Sequence, residues 1–339
     1  MQKKTTNKGD YHRPRIGVDL LGSDTSAEKI LKAIASHEWE GDAPPLLTLF
    51  ATKEVFENIP TPEDFHCHVV TEEVTMEDDP LMAVRRKKDS SIAAGIRALK
   101  AYEIDAFISG GNSGALLAQT KITLKMLPGI DRPAFLTLIP SKLEPIAVLD
   151  VGANLDVKAE NFLQFAQMGI AYQKARGLPH PVVGLLNIGE EKKKGTPEHQ
   201  KAYSILQTLN ESAPLDAPAF IGNIEGRDVF LGKIDILITD GFTGNIFLKT
   251  AEGIAGFVLE QMQNLGPIEM IPGLRSIIGT LKHRLSYAEY PGAILCGADG
   301  IVIKCHGASP PETFITSIIS TSRLVKNGFV EKIKAELNS

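Results

Sequence analysis

The stretch Ile108-Ser109-Gly110-Gly111-Asn112-Ser113-Gly114-Ala115-Leu116-Leu117 constrains the fold more than any other, because an apolar run breaks into glycines there and resumes as a helix. Asp105-Ala106-Phe107-Ile108 supplies a buried strand, and the two glycines are expected to let the backbone take conformations closed to other residues. Asn112 or Ser113 caps the helix that follows. First-turn N–H groups have no partner inside a helix, so this N-terminus can receive a phosphate or an oxyanion.

The arrangement recurs. Ile236-Leu237-Ile238-Thr239-Asp240 leads into Gly241-Phe242-Thr243-Gly244-Asn245 and a helix from near Ile246. Ala147-Val148-Leu149-Asp150 leads into Gly152-Ala153-Asn154 and Asp156, and Ile16-Gly17-Val18-Asp19 into Gly22-Ser23-Asp24. In open α/β sheets ligands sit at the carboxyl ends of strands, so four polar, glycine-rich exits predict one shared site.

The rest of the chain alternates strand and helix. Helical spacing over Ala27–Ile34 precedes a strand at Leu46–Phe50, another strand lies at Cys67–Val70, and Asp89-Ser90-Ser91 opens a helix. Strands follow at Pro133–Ile139, Ile146–Asp150 and Pro181–Asn187, with an amphipathic helix over Asn161–Tyr172 and a helix from Pro197. Phe220 to Asp228, with Asn223 and Arg227, reads as a polar segment after a short strand. The last strand, Gly300–Lys304, exits at His306, and a C-terminal helix begins near Pro311. Between Pro267 and Leu285, Leu274, Ile277, Ile278 and Leu281 recur on one helical face, which suits a membrane surface, a dimer contact or a core.

Composition bounds the function. The 339 residues carry 36 Lys and Arg against 41 Asp and Glu, a net charge of -5 that argues against broad nucleic-acid binding. Three cysteines without a C-x-x-C spacing suggest neither a disulfide framework nor a metal site and fit a reducing cytoplasm. Residues 1–14 read as a flexible basic tail, residues 15–339 as one α/β unit with a projecting amphipathic segment over 263–290, and no apolar run is long enough to span a bilayer. The basic run Arg85-Arg86-Lys87-Lys88 can meet an anionic partner or face solvent, and Lys192-Lys193-Lys194-Gly195 ends a charged loop suited to holding phosphate.

Taken together, Ala83-Val84-Arg85-Arg86-Lys87-Lys88-Asp89-Ser90-Ser91, Gly111-Asn112-Ser113-Gly114-Ala115-Leu116, Gly129-Ile130-Asp131-Arg132-Pro133-Ala134, Leu149-Asp150-Val151-Gly152-Ala153-Asn154, Gly184-Leu185-Leu186-Asn187-Ile188-Gly189, Asp240-Gly241-Phe242-Thr243-Gly244-Asn245 and Ile303-Lys304-Cys305-His306-Gly307 resemble the PlsX family, the phosphate acyltransferases of bacterial phospholipid synthesis. The resemblance implies a three-layer α/β/α sandwich similar to isopropylmalate dehydrogenase and phosphotransacetylase. It implies transfer of a long acyl group from acyl carrier protein to inorganic phosphate, a homodimer, and peripheral association with the inner face of the cell membrane and with a glycerol-phosphate acyltransferase. No cofactor and no metal are implied. Two departures stand out: Ser23 where the family usually has Gly, and Thr196 where Asn is common after Lys194-Gly195.

Phosphate is itself the nucleophile in such a reaction, so the protein must hold a dianion and stabilise an oxyanion. Lys193, Lys194, Asp240, Asn245 and His306 are the expected catalytic residues, with His306 handling a proton. Gly111, Asn112, Ser113, Gly114, Asp150, Asn154, Asn223 and Arg227 are expected to bind phosphate or substrate, Arg85 to Lys88 to contact the carrier protein, and Leu274, Ile277, Ile278 and Leu281 to face the membrane. The rivals are a phosphotransacetylase-like enzyme using acyl coenzyme A and a non-catalytic membrane scaffold. A nicotinamide-linked dehydrogenase of the same fold is weakened by the lack of a G-x-G-x-x-G after the first strand.

Overall fold

Short apolar runs buried on both faces build the centre of the molecule, as in parallel sheets covered by helices. In the computed structural model, which describes residues 13–39, 44–211, 219–264, 279 and 292–338, these runs form one 11-stranded sheet. In chain order the strands are β1 (Arg15–Asp19), β2 (Leu46–Ala51), β3 (His66–Val69), β4 (Ala106–Ser109), β5 (Ala134–Ile139), β6 (Ile146–Leu149), β7 (Val183–Leu186), β8 (Phe220–Ile224), β9 (Ile236–Ile238), β10 (Ala293–Cys296) and β11 (Ile301–Lys304). They stand side by side as β3-β2-β1-β4-β11-β10-β5-β6-β9-β7-β8. Every residue of β4, β6 and β9 is buried.

The helices are α1 (Ala27–Ser36), α2 (Lys53–Asn58), α3 (Pro80–Arg86), α4 (Ser91–Lys100), α5 (Ser113–Thr123), α6 (Ala159–Ala175), α7 (Pro197–Leu206), α8 (Gly241–Asn264), α9 (Pro311–Lys326) and α10 (Phe329–Leu337). They cover the sheet as outer layers: α4 and α9 both pack on β1 and β4, while α6 packs on β6 and β9. Asp79, Ser90, Asn112 and Thr196 cap their helices with side-chain oxygens, and Pro80 and Pro197 occupy first turns. Among the described residues no helix is long and apolar enough to cross a membrane.

Strand direction explains where a ligand can sit. β3, β2, β1, β4 and β11 run parallel to one another, and β6, β9, β7 and β8 form a second parallel set. Between them β10 is antiparallel to β11 and to β5, and β5 is antiparallel to β6, so the two sets run in opposite directions. Ile108, Ile303, Ile294, Leu136, Leu149 and Ile238 stand level across the sheet. Both sets end within two residues of this line, so their exit loops reach β5 and β10 from opposite sides.

Several local expectations change. Gly110 and Gly111 do not take positive φ. A side chain at Gly110 would instead lie 2.8 Å from the Phe314 ring, so that glycine admits the C-terminal helix rather than an unusual turn. Phe220–Ile224 is itself strand β8, not a segment following one. Helix α8 starts at Gly241, five residues before the expected Ile246, because Asp240 already caps it by accepting from Thr243 N at 2.7 Å. Helices α2 and α3 and strand β10 are not among the expected elements. Each is short, and β10 follows a stretch without clear alternation. Of the expected tail only Arg13 and Pro14 are described, and the projecting segment over 263–290, with Leu274, Ile277, Ile278 and Leu281, lies outside the described residues apart from 263, 264 and 279.

Candidate active site

All four polar exits, joined by that of β11, contribute to one cavity of about 770 Å³. Asp24 comes from the exit of β1, Ser113 from β4, Val151 and Gly152 from β6, Asn245 from β9, and Lys304 to Gly307 from β11. Phe135 and Thr137 of β5 and Ala293 of β10 line it too, and Leu248 and Lys249 close one side from α8.

The exit of β4 is held from below. Asp19 accepts from Leu21 N at 3.0 Å and from Ser109 Oγ at 2.7 Å, and Ser109 Oγ in turn accepts from Gly111 N at 3.1 Å. Burial pushes the Asp19 carboxyl up to about 6, against the pull of its Ser91, Ser109 and Leu21 hydrogen bonds. Asn112 caps α5 through Ala115 N at 3.0 Å, and its amide donates to the carbonyls of Thr75 and Asp78, both at 3.1 Å. Asn112 is therefore committed to the protein itself, while the amides of Ser113 and Gly114 precede the helix's own hydrogen bonds. Ser113 lines the cavity; Gly111, Asn112 and Gly114 do not.

The exits of β6 and β9 are locked together. The buried Asp150 carboxylate accepts from Phe135 N, Gly152 N, Ala153 N, Asn154 N and Asn154 Nδ2 at 2.6–3.1 Å. Burial still raises its pKa, with those donors opposing. Asn154 also donates to Pro133 O at 2.9 Å. A side chain at Gly244 would lie 1.9 Å from Asp150 O, so only glycine lets the first turn of α8 rest on this loop. Asp150 and Asn154 thus shape the wall rather than line the cavity, and Asn245, one residue on from Gly244, lines it with Leu248, Lys249 and Glu252 of the same helix.

The expected loop after β7 stands apart from the cavity lining. Lys193 and Lys194 are exposed, and Lys194 Nζ lies 3.8 Å from Glu191. Asn187 and Asn223 hydrogen-bond each other at 3.1 Å and tie the loop down through Lys194 O and Glu191 O. Thr196 caps α7, and its Oγ1 lies 2.7 Å from His199 Nδ1. His199 Nε2 is 4.0 Å from Asp240, and burial lowers the His199 pKa despite that carboxylate. Asp240 additionally accepts from Thr243 Oγ1 at 2.8 Å. Arg227 is exposed and pairs with Glu225 at 3.1 Å and Asp228 at 3.8 Å.

Of the basic run, Lys87 binds Asp78 at 2.6 Å and Lys88 donates to Val84 O, whereas Arg85 and Arg86 are exposed in the last turn of α3, where the helix dipole favours cations. His306 accepts from Ala308 N at Nδ1, 3.2 Å, which leaves Nε2 to carry the proton of the neutral ring. Burial, then Lys249, lowers its pKa, so the ring is neutral near pH 7. Cys305 also lines the cavity, but burial raises its thiol and Ser317 Oγ lies 3.2 Å away, so it is no ready thiolate.

Sequence reasoning missed Lys304, Lys249 and Thr137 as cavity residues. Lys304 had a readable signal, a cation closing the otherwise apolar run Ile301-Val302-Ile303. Among the described residues no group of three or more His, Cys, Asp or Glu side chains is placed to hold a metal.

Comparison with known proteins agrees with this geometry. Residues 14–332 match the family described as fatty acid synthesis protein. A phosphate acyltransferase of Chlamydia abortus is 38% identical over 331 residues, covering 96% of this chain and 99% of that protein. One from Desulfitobacterium hafniense is 39% identical over 337 residues, covering 95% and 97%. A phosphotransacetylase structure from Streptococcus pyogenes superimposes with a TM-score of 0.59 at 16% identity, covering 91% of this chain and 94% of that one, and so shares the fold. With the family matched across almost its whole length and relatives this similar, the chain belongs to the fatty acid synthesis protein family and is a phosphate acyltransferase, a transferase of lipid synthesis.

Proposed function

We propose that the protein transfers a long acyl group from acyl carrier protein to inorganic phosphate, giving acyl phosphate and the free carrier thiol. The observation that carries this reading is the mixed lining of the cavity. Ser113 in the first turn of α5, Asn245 and Lys249 of α8, Lys304 and His306 meet there beside the apolar Phe135, Val151 and Leu248. An anion and a thioester with its first methylenes need that combination.

In this reading phosphate sits against the cations and the α5 amides and attacks the thioester carbonyl. The carbonyl oxygen becomes an oxyanion beside the His306 Nε2–H and the Asn245 side chain. Collapse breaks the carbon–sulfur bond as the carbon–oxygen bond to phosphate persists, and the proton that hydrogen phosphate brought passes to the departing thiolate, while His306 Nε2–H stays the donor to the carbonyl oxygen. A thiol of pKa about 8.5 leaves readily. Lys193 and Lys194, on their exposed loop, belong to this scheme only as groups that move onto phosphate when substrate is bound.

The exposed Arg85 and Arg86 support an acidic carrier as acyl donor. Phe242, Ile246, Ile254 and Val258 recur every four or eight residues along α8 and are exposed, as is Phe257, which supports a second copy of the chain as partner in a homodimer. Contact with the inner face of the membrane and with a glycerol-phosphate acyltransferase completes the proposal, since a lipophilic, reactive product is best released beside its consumer. The test is to incubate the purified protein with palmitoyl carrier protein and phosphate and to follow acyl phosphate and free thiol together. Phosphate-dependent appearance of both supports the reading; release only from acyl coenzyme A, or from neither donor, overturns it.

A further inference from the structure

Resting on that reading, we infer that Lys304 is a catalytic residue: its buried ammonium, fixed at the cavity wall by two main-chain carbonyls and paired with no carboxylate, is the counter-charge that binds inorganic phosphate. Lys304 is 9% exposed and closes a strand whose other residues, Ile301 to Ile303, are apolar. Its register neighbours are Ser109 at the exit of β4 and Ala293 in the cavity wall. Nζ donates to Gly110 O at 3.2 Å and to Cys305 O. An ammonium has three donors, so one is left over.

The other lysines near the site are differently placed. Lys249 pairs with Glu252 at 2.7 Å, Lys87 with Asp78, and Lys193 and Lys194 are exposed. Among the described residues Lys304 has no carboxylate at ion-pair distance, and a buried charge without a partner is retained only at a cost that a bound anion would remove. The bond to Gly110 O ties the ammonium to the loop that opens α5, so the cation and Ser113, which lines the cavity at that helix N-terminus, serve the same anion. Burial draws the Lys304 pKa down to about 8, with Cys305 and Asp19 pulling it back up and Lys249 opposing, so it is charged at neutral pH and discharges as pH rises through 8.

The experiment is thermal melting of the full chain in increasing inorganic phosphate, with steady-state kinetics alongside, for the wild type, Lys304→Met, Lys304→Gln and Lys304→Arg. The wild type melts higher as phosphate is added at neutral pH, and this rise fades well above pH 8. Without phosphate Lys304→Met melts above the wild type, because an uncompensated buried charge is gone, and its response to phosphate is lost, as it is in Lys304→Gln. Lys304→Arg keeps part of the response. The Michaelis constant for phosphate rises roughly 10–100-fold in Lys304→Met, as expected for a lost charged hydrogen bond, while that for the acyl donor is unchanged. Dimethyl phosphate, which mimics the phosphodiester of a carrier arm, has no effect on the wild type.

A full phosphate response in both neutral variants overturns the inference, as does a wild-type response that persists undiminished well above pH 8. Stabilisation by dimethyl phosphate equal to that by phosphate overturns it too, by assigning the cation to the carrier arm. If the variants respond normally and acyl phosphate still forms, the functional reading stands and the assignment of Lys304 alone falls. A wild type that neither responds to phosphate nor makes acyl phosphate removes both.

Discussion

Two buried aspartates close two strands that end at the same cavity, and they differ in how many donors they hold. Asp150 at the exit of β6 accepts five hydrogen bonds from four residues around it. Asp19 at the exit of β1 accepts one backbone amide and two serine hydroxyls, and its carboxyl is pushed up to about 6 by burial. Two strands away, in register through Ser109, Lys304 is drawn down to about 8. The β6 side, though burial raises its carboxyl as well, is settled by hydrogen bonds and works as scaffold, whereas the β1, β4 and β11 side holds a sparsely bonded carboxyl below the cavity and Lys304 on its wall. Perturbed groups of opposite sign beside a cleft mark where binding and chemistry reside.

The sharpest way to break this contrast is Asp150→Ala. Five donors lose their acceptor in a dry site, and each unsatisfied buried amide costs about 1–3 kcal/mol. Even with water recovering part of that, stability measured by urea unfolding falls by more than about 4 kcal/mol. A loss below about 1 kcal/mol would show that the loop is held by something else.

Asp19→Asn is expected to behave differently, through pH. The wild-type carboxyl has a folded pKa of about 6 against the usual 3.8, so folding favours its protonated form. The penalty is absent below the lower value, grows between the two, and is complete above 6, where it amounts to roughly 3 kcal/mol. The asparagine variant lacks that dependence, so its stability relative to wild type improves as pH rises from 4 to 7. The substitution also removes an attraction that supports the Lys304 charge, so the alkaline fall in phosphate-dependent turnover moves to lower pH. Parallel stability curves for the two proteins would contradict the assignment.

Asn112→Ala tests whether the exit of β4 is scaffold or ligand site. Loss of the cap and of the ties to Thr75 and Asp78 costs about 1–2 kcal/mol, with the Michaelis constant for phosphate changing less than in Lys304→Met. A large rise in that constant without destabilisation would restore Asn112 as a direct phosphate ligand.

Much of this was legible because exits carry their own chemistry. Asp, Asn and Ser after apolar runs announced caps and strand ends, and the four exits do share a cavity with Ser113, Gly152 and Asn245 on its wall. What periodicity could not show is which groups of an exit turn inward. Asn112, Asp150 and Asn154 read as ligands in one dimension and satisfy backbone in three, while Lys304 read as the end of a strand. Nor could it show that the two parallel sets run oppositely, because that depends on β10, a four-residue strand whose pairing is set by partners far along the chain.

The smallest effect concerns Thr196, where the family commonly has asparagine. Its Oγ1 accepts from His199 N at 3.3 Å and also meets His199 Nδ1, so the side chain is both cap and brace for the ring that faces Asp240. Threonine and asparagine are both good caps and alanine is a poor one. Thr196→Ala should therefore cost about 1 kcal/mol in thermal or urea unfolding, and Thr196→Asn only a few tenths. His199 supplies the link to the other side of the molecule, because it joins the first turn of α7 to that of α8, the helix that rests on Asp150 through Gly244. If that joint belongs to the scaffold, both substitutions leave the pH dependence of turnover unchanged, and any shift in its acidic limb would move His199 and Asp240 from the settled side of the molecule to the reactive one.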